Sequence, residues 1–190
     1  MNSLGVKGAA AGAVARVHCD YTHAGAPRRF NQLAEKPSYN GTKLDPKEVE
    51  ALKEKRYAFI NVWKNCNDYP VNNKPLSVCD PASVDPESYL TYELRYPDRT
   101  GETYALDTKD KDKHDWYYYP QMTKDEALMF YVFDKKEDSP GFVMHTGFDH
   151  PDTPKDALDR VSLECRSIAI FEDEDSSSSS SSSSDSEDEK

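Results

Sequence analysis

The sequence predicts a mainly β domain, a sandwich or barrel carrying one or two short helices, and three observations predict it. Runs rich in β-branched and aromatic residues recur along the chain: YAFINVW at 57–63, PLSVCD at 75–80, SYLTYELRY at 88–96, GETYAL at 101–106, DWYYY at 115–119, MFYVF at 129–133, FVMHT at 142–146 and RVSLECRSIAIF at 160–171. Breaks rich in Pro, Gly and Asp separate these runs, as strands joined by turns require. The chain has 190 residues, of which 36% are hydrophobic and 11% aromatic, enough for the core of one domain. Many short strands at this spacing read as a closed or doubled sheet.

The helix signals come first along the chain. Asp45, Pro46 and Glu48 supply an N-cap, a first-turn proline and a first-turn acid, and Lys53, Lys55 and Arg56 a basic end, so a helix is expected over 46–56. Thr123 and Glu126 form a capping-box pattern that predicts a helical turn before the strand at 129–133. Asn40-Gly41-Thr42 reads as a turn. The last strand alternates strictly, with Arg160, Ser162, Glu164 and Arg166 on one face and Val161, Leu163 and Cys165 on the other. That polar face meets solvent in a sandwich, or lines the interior of a barrel with an internal site.

Charge marks a boundary and excludes partners. Of the formal charge of −11, residues 172–190 hold −7, leaving −4 for the body. This segment joins acidic runs to nine consecutive serines and has nothing to bury, so 172–190 is expected to be a disordered acidic poly-Ser tail and 1–171 the folded domain. A mildly acidic body without a basic cluster argues against nucleic acid and anionic membrane partners, and no apolar run is long enough to span a bilayer. The opening MNSLGVKGAAAGAVARV makes a poor signal-peptide core, and Cys19, Cys66, Cys79 and Cys165 form no paired motif, so a cytoplasmic chain with reduced thiols is expected.

Chemistry gathers around residues 20 and 145. His18 and Asp20 are two apart, so on a strand both side chains point to one face. Alone, such a pair is more often a hydrogen-bonded surface pair. With His145 from a distant strand, it would supply the two imidazoles and one carboxylate that hold Fe(II) while leaving positions open. Arg160 and Ser162 follow, a guanidinium and a hydroxyl on one strand face that suit a carboxylate. H-x-D, a distal His and then R-x-S is the order of iron ligands and cosubstrate clamp in 2-oxoglutarate-dependent oxygenases. His23 and His150 read as loop residues, and Arg166 as an ion-pair partner of Glu164.

The sequence also resembles a specific family, on VHCDYT at 17–22, INVWK at 60–64, PLSVCDPASV at 75–84, HDWYYYPQMTKDEALMF at 114–130, MHTGFDHPDTP at 144–154 and RVSLECR at 160–166. It is similar to the AsaB-like hydroxylase/desaturase proteins of fungal secondary-metabolite clusters, themselves similar to the cephamycin methoxylation protein of actinobacteria. The resemblance implies a double-stranded β-helix, the jelly-roll or cupin-like barrel. It also implies Fe(II) on His18, Asp20 and His145, and 2-oxoglutarate gripped by Arg160 and Ser162 with Arg166 nearby. A pocket for a small-molecule substrate, with O2 as co-reactant, is expected to involve Asn61, Trp63, His114 and Trp116.

Two departures stand out. Lys64 and Asn65 occupy positions where the family has Arg and Pro, and only seventeen residues precede His18 where the family has about a hundred, which reads as a missing leading segment. The alternatives are a non-catalytic β-barrel that binds a metal or small ligand, and a zinc hydrolase on the same triad.

Overall fold

The computed structural model describes residues 14–35, 43–97, 99–136 and 141–172. The turn expected at Asn40-Gly41-Thr42, and the tail apart from Glu172, lie outside them. Among the described residues nine strands form two antiparallel sheets. The larger sheet has the order β4-β5-β1-β8-β3-β6, where β1 is His18–Cys19, β3 Leu76–Cys79, β4 Tyr89–Arg95, β5 Thr100–Leu106, β6 Trp116–Tyr118 and β8 His145–Gly147. The smaller has the order β7-β2-β9, with β2 Tyr57–Asn65, β7 Ala127–Asp134 and β9 Ser162–Ile170. Among the described residues no helix is long and apolar enough to cross a membrane, and all four cysteines are free thiols.

Strand β2 organises the smaller sheet. Tyr57, Phe59, Asn61, Trp63 and Asn65 are all buried, whereas Ile60 and Val62 are half-buried and Lys64 is exposed, the alternation of a sheet with one face on the core. Directly opposed residues share a face, so Asn61 with Arg166, Trp63 with Glu164 and Asn65 with Ser162 place the polar side of β9 inward. Leu163 and Cys165 are exposed. The polar face of the last strand is therefore the inner one. A bulge in β7 carries the pairing from Phe59–Phe133 to Ile60–Tyr131, and the extra residue lets Phe133 and Phe130, three apart, both face the core.

The sequence reading gave runs for eight of the nine strands, with β1 entering only as the strand that would align His18 and Asp20, and it missed a helix. Helix α1, Gly25–Glu35, buries Ala26, Phe30, Leu33 and Ala34, the spacing of one helical face. Phe30 stacks on Tyr57 at 4.7 Å between ring centroids. Thr22 starts the helix by accepting the Gly25 amide with Oγ1 at 2.8 Å. A side chain at Gly25 would place Cβ 2.8 Å from the Glu102 carbonyl oxygen, so glycine is what lets α1 lie this close to β5.

The expected helix over 46–56 is shorter. Helix α2 covers Pro46–Leu52, with Asp45 accepting the Lys47 amide at 2.8 Å. It stops because Arg56 must reach Asp134 at the end of β7, donating from Nε at 3.2 Å and Nη2 at 2.8 Å, as the chain enters β2. The capping-box bonds form, with Thr123 donating its amide and hydroxyl to Glu126, yet they close a turn rather than a helix before β7 starts at Ala127.

Asp134 is buried and also accepts the Lys136 amide at 3.0 Å. Burial opposes its charge, but Arg56 and that amide outweigh it and hold the carboxyl below the usual range. A carboxyl whose folded pKa is lowered adds stability above its unfolded value of about 3.9 and loses it as pH falls through the folded one. Asp134→Asn is therefore expected to lower the unfolding free energy at pH 7, with the difference from the parent shrinking below about pH 3.9. Denaturant titrations at both pH values check this; a difference independent of pH would refute the assignment.

Candidate metal centre and adjoining cavity

Strand pairing brings His18 and His145 together. They are direct partners between the antiparallel strands β1 and β8, and their ring centroids lie 4.4 Å apart. Asp20 follows β1, with its Oδ1 3.9 Å from His18 Nε2. One ligand-type atom from each of the three falls within 4.8 Å of the others, wider than the roughly 3 Å expected around one bound ion.

The surrounding hydrogen bonds determine which atoms point at one another. His18 Nδ1 lies 2.7 Å from the Arg16 carbonyl, and His145 Nδ1 3.1 Å from the Val143 carbonyl. A carbonyl only accepts, so each Nδ1 carries a proton, and in the neutral ring Nε2 is the nitrogen with the lone pair. Burial depresses the pKa of His145 against the opposing pull of Asp20, which keeps the ring neutral. Phe130 packs on that ring at 4.9 Å.

Asp20 is held from the smaller sheet. Its side chain is 5% exposed; Asn61 Nδ2 donates to Oδ2 at 2.7 Å and Arg166 Nη2 to Oδ1 at 2.8 Å. Burial alone would raise its pKa, but the Arg166 guanidinium and the Asn61 hydrogen bond oppose that and hold the carboxyl below its usual range. Arg166 also donates to Glu164 from Nε at 2.9 Å, and the two acids raise its pKa in spite of its own burial. A carboxylate offers about four lone-pair positions, so Asp20 retains capacity for a cation.

The other residues expected at the site divide into two groups. Arg160 is half-buried, donates to the Lys74 carbonyl at 2.5 Å and lies over the Trp63 ring at 5.2 Å, while Ser162 opposes Asn65 on the same inner face. His114 and Trp116 line a separate cavity of about 510 Å³ with Ser77 and Thr146. Ser77 and Thr146 adjoin Val78 and His145 along their strands, so they point to the opposite side of the sheet from the triad. His114 Nε2 is buried there without a hydrogen-bond partner.

The cavity beside the triad has a volume of about 500 Å³ and reaches His18, Asp20, Tyr21 and Arg166 but not Arg160. This cavity thus meets Arg166 and not Arg160, the residue expected to grip 2-oxoglutarate. Arg16, Arg28, Arg29 and Arg99 also line it. None was singled out in the sequence, because they come from three separate segments and only the fold gathers them.

A family profile described as an oxidoreductase/YMDC permease-like domain matches residues 3–170. The chain is 34% identical over 167 residues to a hydroxylase/desaturase of Cercospora beticola, covering 83% of this chain and 47% of that protein. It is 31% identical over 140 residues to a hydroxylase/desaturase of Aspergillus flavus, covering 67% and 61%. To an Fe(II)/2-oxoglutarate-dependent dioxygenase of Aspergillus novofumigatus it is 27% identical over 154 residues, covering 80% and 50%. The chain thus spans about half the length of the relatives it matches. A solved iron and alpha-ketoglutarate-dependent endoperoxidase superposes with a TM-score of 0.72 at 23% identity over 89% of this chain and 58% of that one. The fold is accordingly that of the jelly-roll oxygenases.

Arg166 leaves a direct prediction. Arg166→Met removes a donor from a buried carboxylate oxygen, and leaving such an acceptor unpaired is expected to cost about 1–3 kcal/mol of stability at pH 7. Denaturant unfolding measures it, and a change under about 0.3 kcal/mol would show that the pair contributes little, as exposed pairs do.

Proposed function

The chain belongs to the oxidoreductase/YMDC permease-like domain family, and from that premise we propose that it acts as an Fe(II)- and 2-oxoglutarate-dependent hydroxylase or desaturase of a small, secondary-metabolite-like molecule. The observation that carries the proposal is the convergence of His18, Asp20 and His145. Two imidazoles with Nε2 lone pairs and an ionised carboxylate form a donor set that fits Fe(II) and leaves coordination positions open. When bound, Fe(II) with 2-oxoglutarate and O2 supplies the oxidising power to attack an unactivated C–H bond.

The protein's own residues bind, orient and shield. The Arg16 and Val143 carbonyls fix the two imidazole tautomers, and Asn61 and Arg166 fix the Asp20 carboxylate. Phe130 covers the His145 ring and keeps water from that side. Arg160 and Ser162 would receive the distal carboxylate of 2-oxoglutarate. Arg160 spends one donor on Lys74 and has others left, with Trp63 holding its plane. The exposed free thiols of Cys66 and Cys165 suit a reducing, cytoplasmic setting.

Metal titration tests the proposal. The parent is expected to take up one equivalent of Fe(II) anaerobically. His18→Ala, Asp20→Ala and His145→Ala should each abolish uptake at stoichiometric metal while keeping the far-UV circular dichroism. Undiminished uptake by His145→Ala would overturn the reading. Arg160→Ala is expected to raise the 2-oxoglutarate requirement by at least about tenfold, since a charge-assisted bond contributes roughly 1.5–3 kcal/mol. If Arg166→Ala has that effect and Arg160→Ala does not, Arg166 is the clamp.

A further inference from the structure

Five of the chain's eight arginines, Arg16, Arg28, Arg29, Arg99 and Arg166, line the cavity beside the triad, and among the described residues no lysine does. This occurs in a chain of net charge −11. A generic solvated face would mix lysine with arginine and intersperse acids; here, among the described residues, the lining acids are Asp20 and Glu102. Asp20 is engaged by Arg166 and Asn61, and Glu102 accepts the Thr22 hydroxyl. Arg16, Arg28 and Arg29 have no carboxylate partner among the described residues.

Several features prepare this wall for an anion. Arg16 lies over the Tyr92 ring at 5.3 Å and Arg99 over the Tyr96 ring at 4.1 Å, so aromatic faces orient their guanidinium planes. Arg28 ends the first turn of α1 and Arg29 begins the second, the first turn carries no acidic residue, and the N-terminal residue Gly25 also lines the cavity. The helix N-terminus adds a partial positive charge on the same side. A volume of about 500 Å³ is that of a small-molecule site.

We propose that the substrate of this site is an organic carboxylate, its acid group held by Arg28 and Arg29 with Arg16 opposite, so that the rest of the molecule lies beside His18 and Asp20. The inference rests on the oxygenase reading for what happens to the bound molecule, but not for the binding itself. Planar guanidinium forks match a carboxylate bidentately, and lysine would not. The cosubstrate is itself a dicarboxylate, and Arg160, its assigned partner, does not line this cavity.

The test uses the full chain and two probes of nearly equal shape, naphthalene-2-carboxylate and naphthalene-2-carboxamide. Both are titrated calorimetrically, first without metal and then with Fe(II) and saturating 2-oxoglutarate under anaerobic conditions. The carboxylate is expected to bind at least about tenfold more tightly than the amide in both states, and Arg28→Gln/Arg29→Gln to reduce that ratio to within about twofold. The 2-oxoglutarate concentration that forms the coloured Fe(II) chelate should stay within about twofold of the parent's. Equal affinities in the parent, or an intact ratio in the double variant, overturn the proposal. A rise of about tenfold in the 2-oxoglutarate requirement also overturns it, by assigning these arginines to the cosubstrate. If the double variant loses its folded circular dichroism, Arg16→Gln, outside α1, decides by the same ratio. Failure of the parent to form the chelate overturns the oxygenase reading alone, because the metal-free titration still decides whether the carboxylate binds.

Discussion

The antiparallel pairing of β1 with β8 is the constraint on which the centre of this molecule depends. It makes His18 and His145 cross-strand neighbours, residues 127 positions apart whose rings meet at 4.4 Å. β1 is only two residues long, so its own ladder cannot hold it. Its position comes from neighbours on both sides, with Cys19 opposite Tyr104 on β5 and His18 opposite His145 on β8. The buried Cys19 thiol donates to the Val132 carbonyl across the core at 3.3 Å, tying the strand to the smaller sheet as well. Register therefore determines the chemistry, since a slip of one residue would turn His18 away from His145.

The smaller sheet completes what the larger begins. Its inner face is polar where it meets the triad, through Asn61, Arg166 and Glu164, and aromatic elsewhere, through Tyr57, Phe59, Phe130 and Phe133. Burying that polar patch is tolerable because Asn61 and Arg166 donate to Asp20 and Arg166 also pairs with Glu164, so that only the Asn61 Oδ1 of the patch is left buried without a partner among the described residues. The bulge between Phe59 and Ile60 has a function here beyond adding twist: without the extra residue Phe130 would face outward with Met129 and Tyr131 displaced from their present side, and His145 would lose its apolar cover.

Legibility in the sequence followed the range of the forces involved. The strands were readable because their signals are local, the β-branched and aromatic runs between turn residues. The step of two from His18 to Asp20 is a weak signal by itself, and only its order with His145 and Arg160-x-Ser162 singled it out; the fold brings His18, Asp20 and His145 within 4.8 Å of one another. Helix α1 was not seen, although Thr22, Pro27 and the spacing of Ala26, Phe30, Leu33 and Ala34 all signal it; the short polar stretch Pro27-Arg28-Arg29 obscured the apolar stripe. The direction of the polar face on β9 could not be read, because alternation gives two faces and only pairing with Asn61, Trp63 and Asn65 says which is inside. The arginine-lined cavity was likewise invisible, being a property of four segments that only the fold brings together.

Arg166 stands at the junction of these parts and does two opposing things. Its guanidinium keeps Asp20 ionised and oriented in a buried setting, which a hard cation requires of a carboxylate ligand. The same positive charge lies beside that ligand and repels an incoming cation. Asn61, neutral and fully buried, orients the other carboxylate oxygen without that repulsion. Arg166 is also half-exposed, while Asp20 is not, so the ion pair joins a carboxylate held inside by Asn61 to a guanidinium that forms part of the cavity wall.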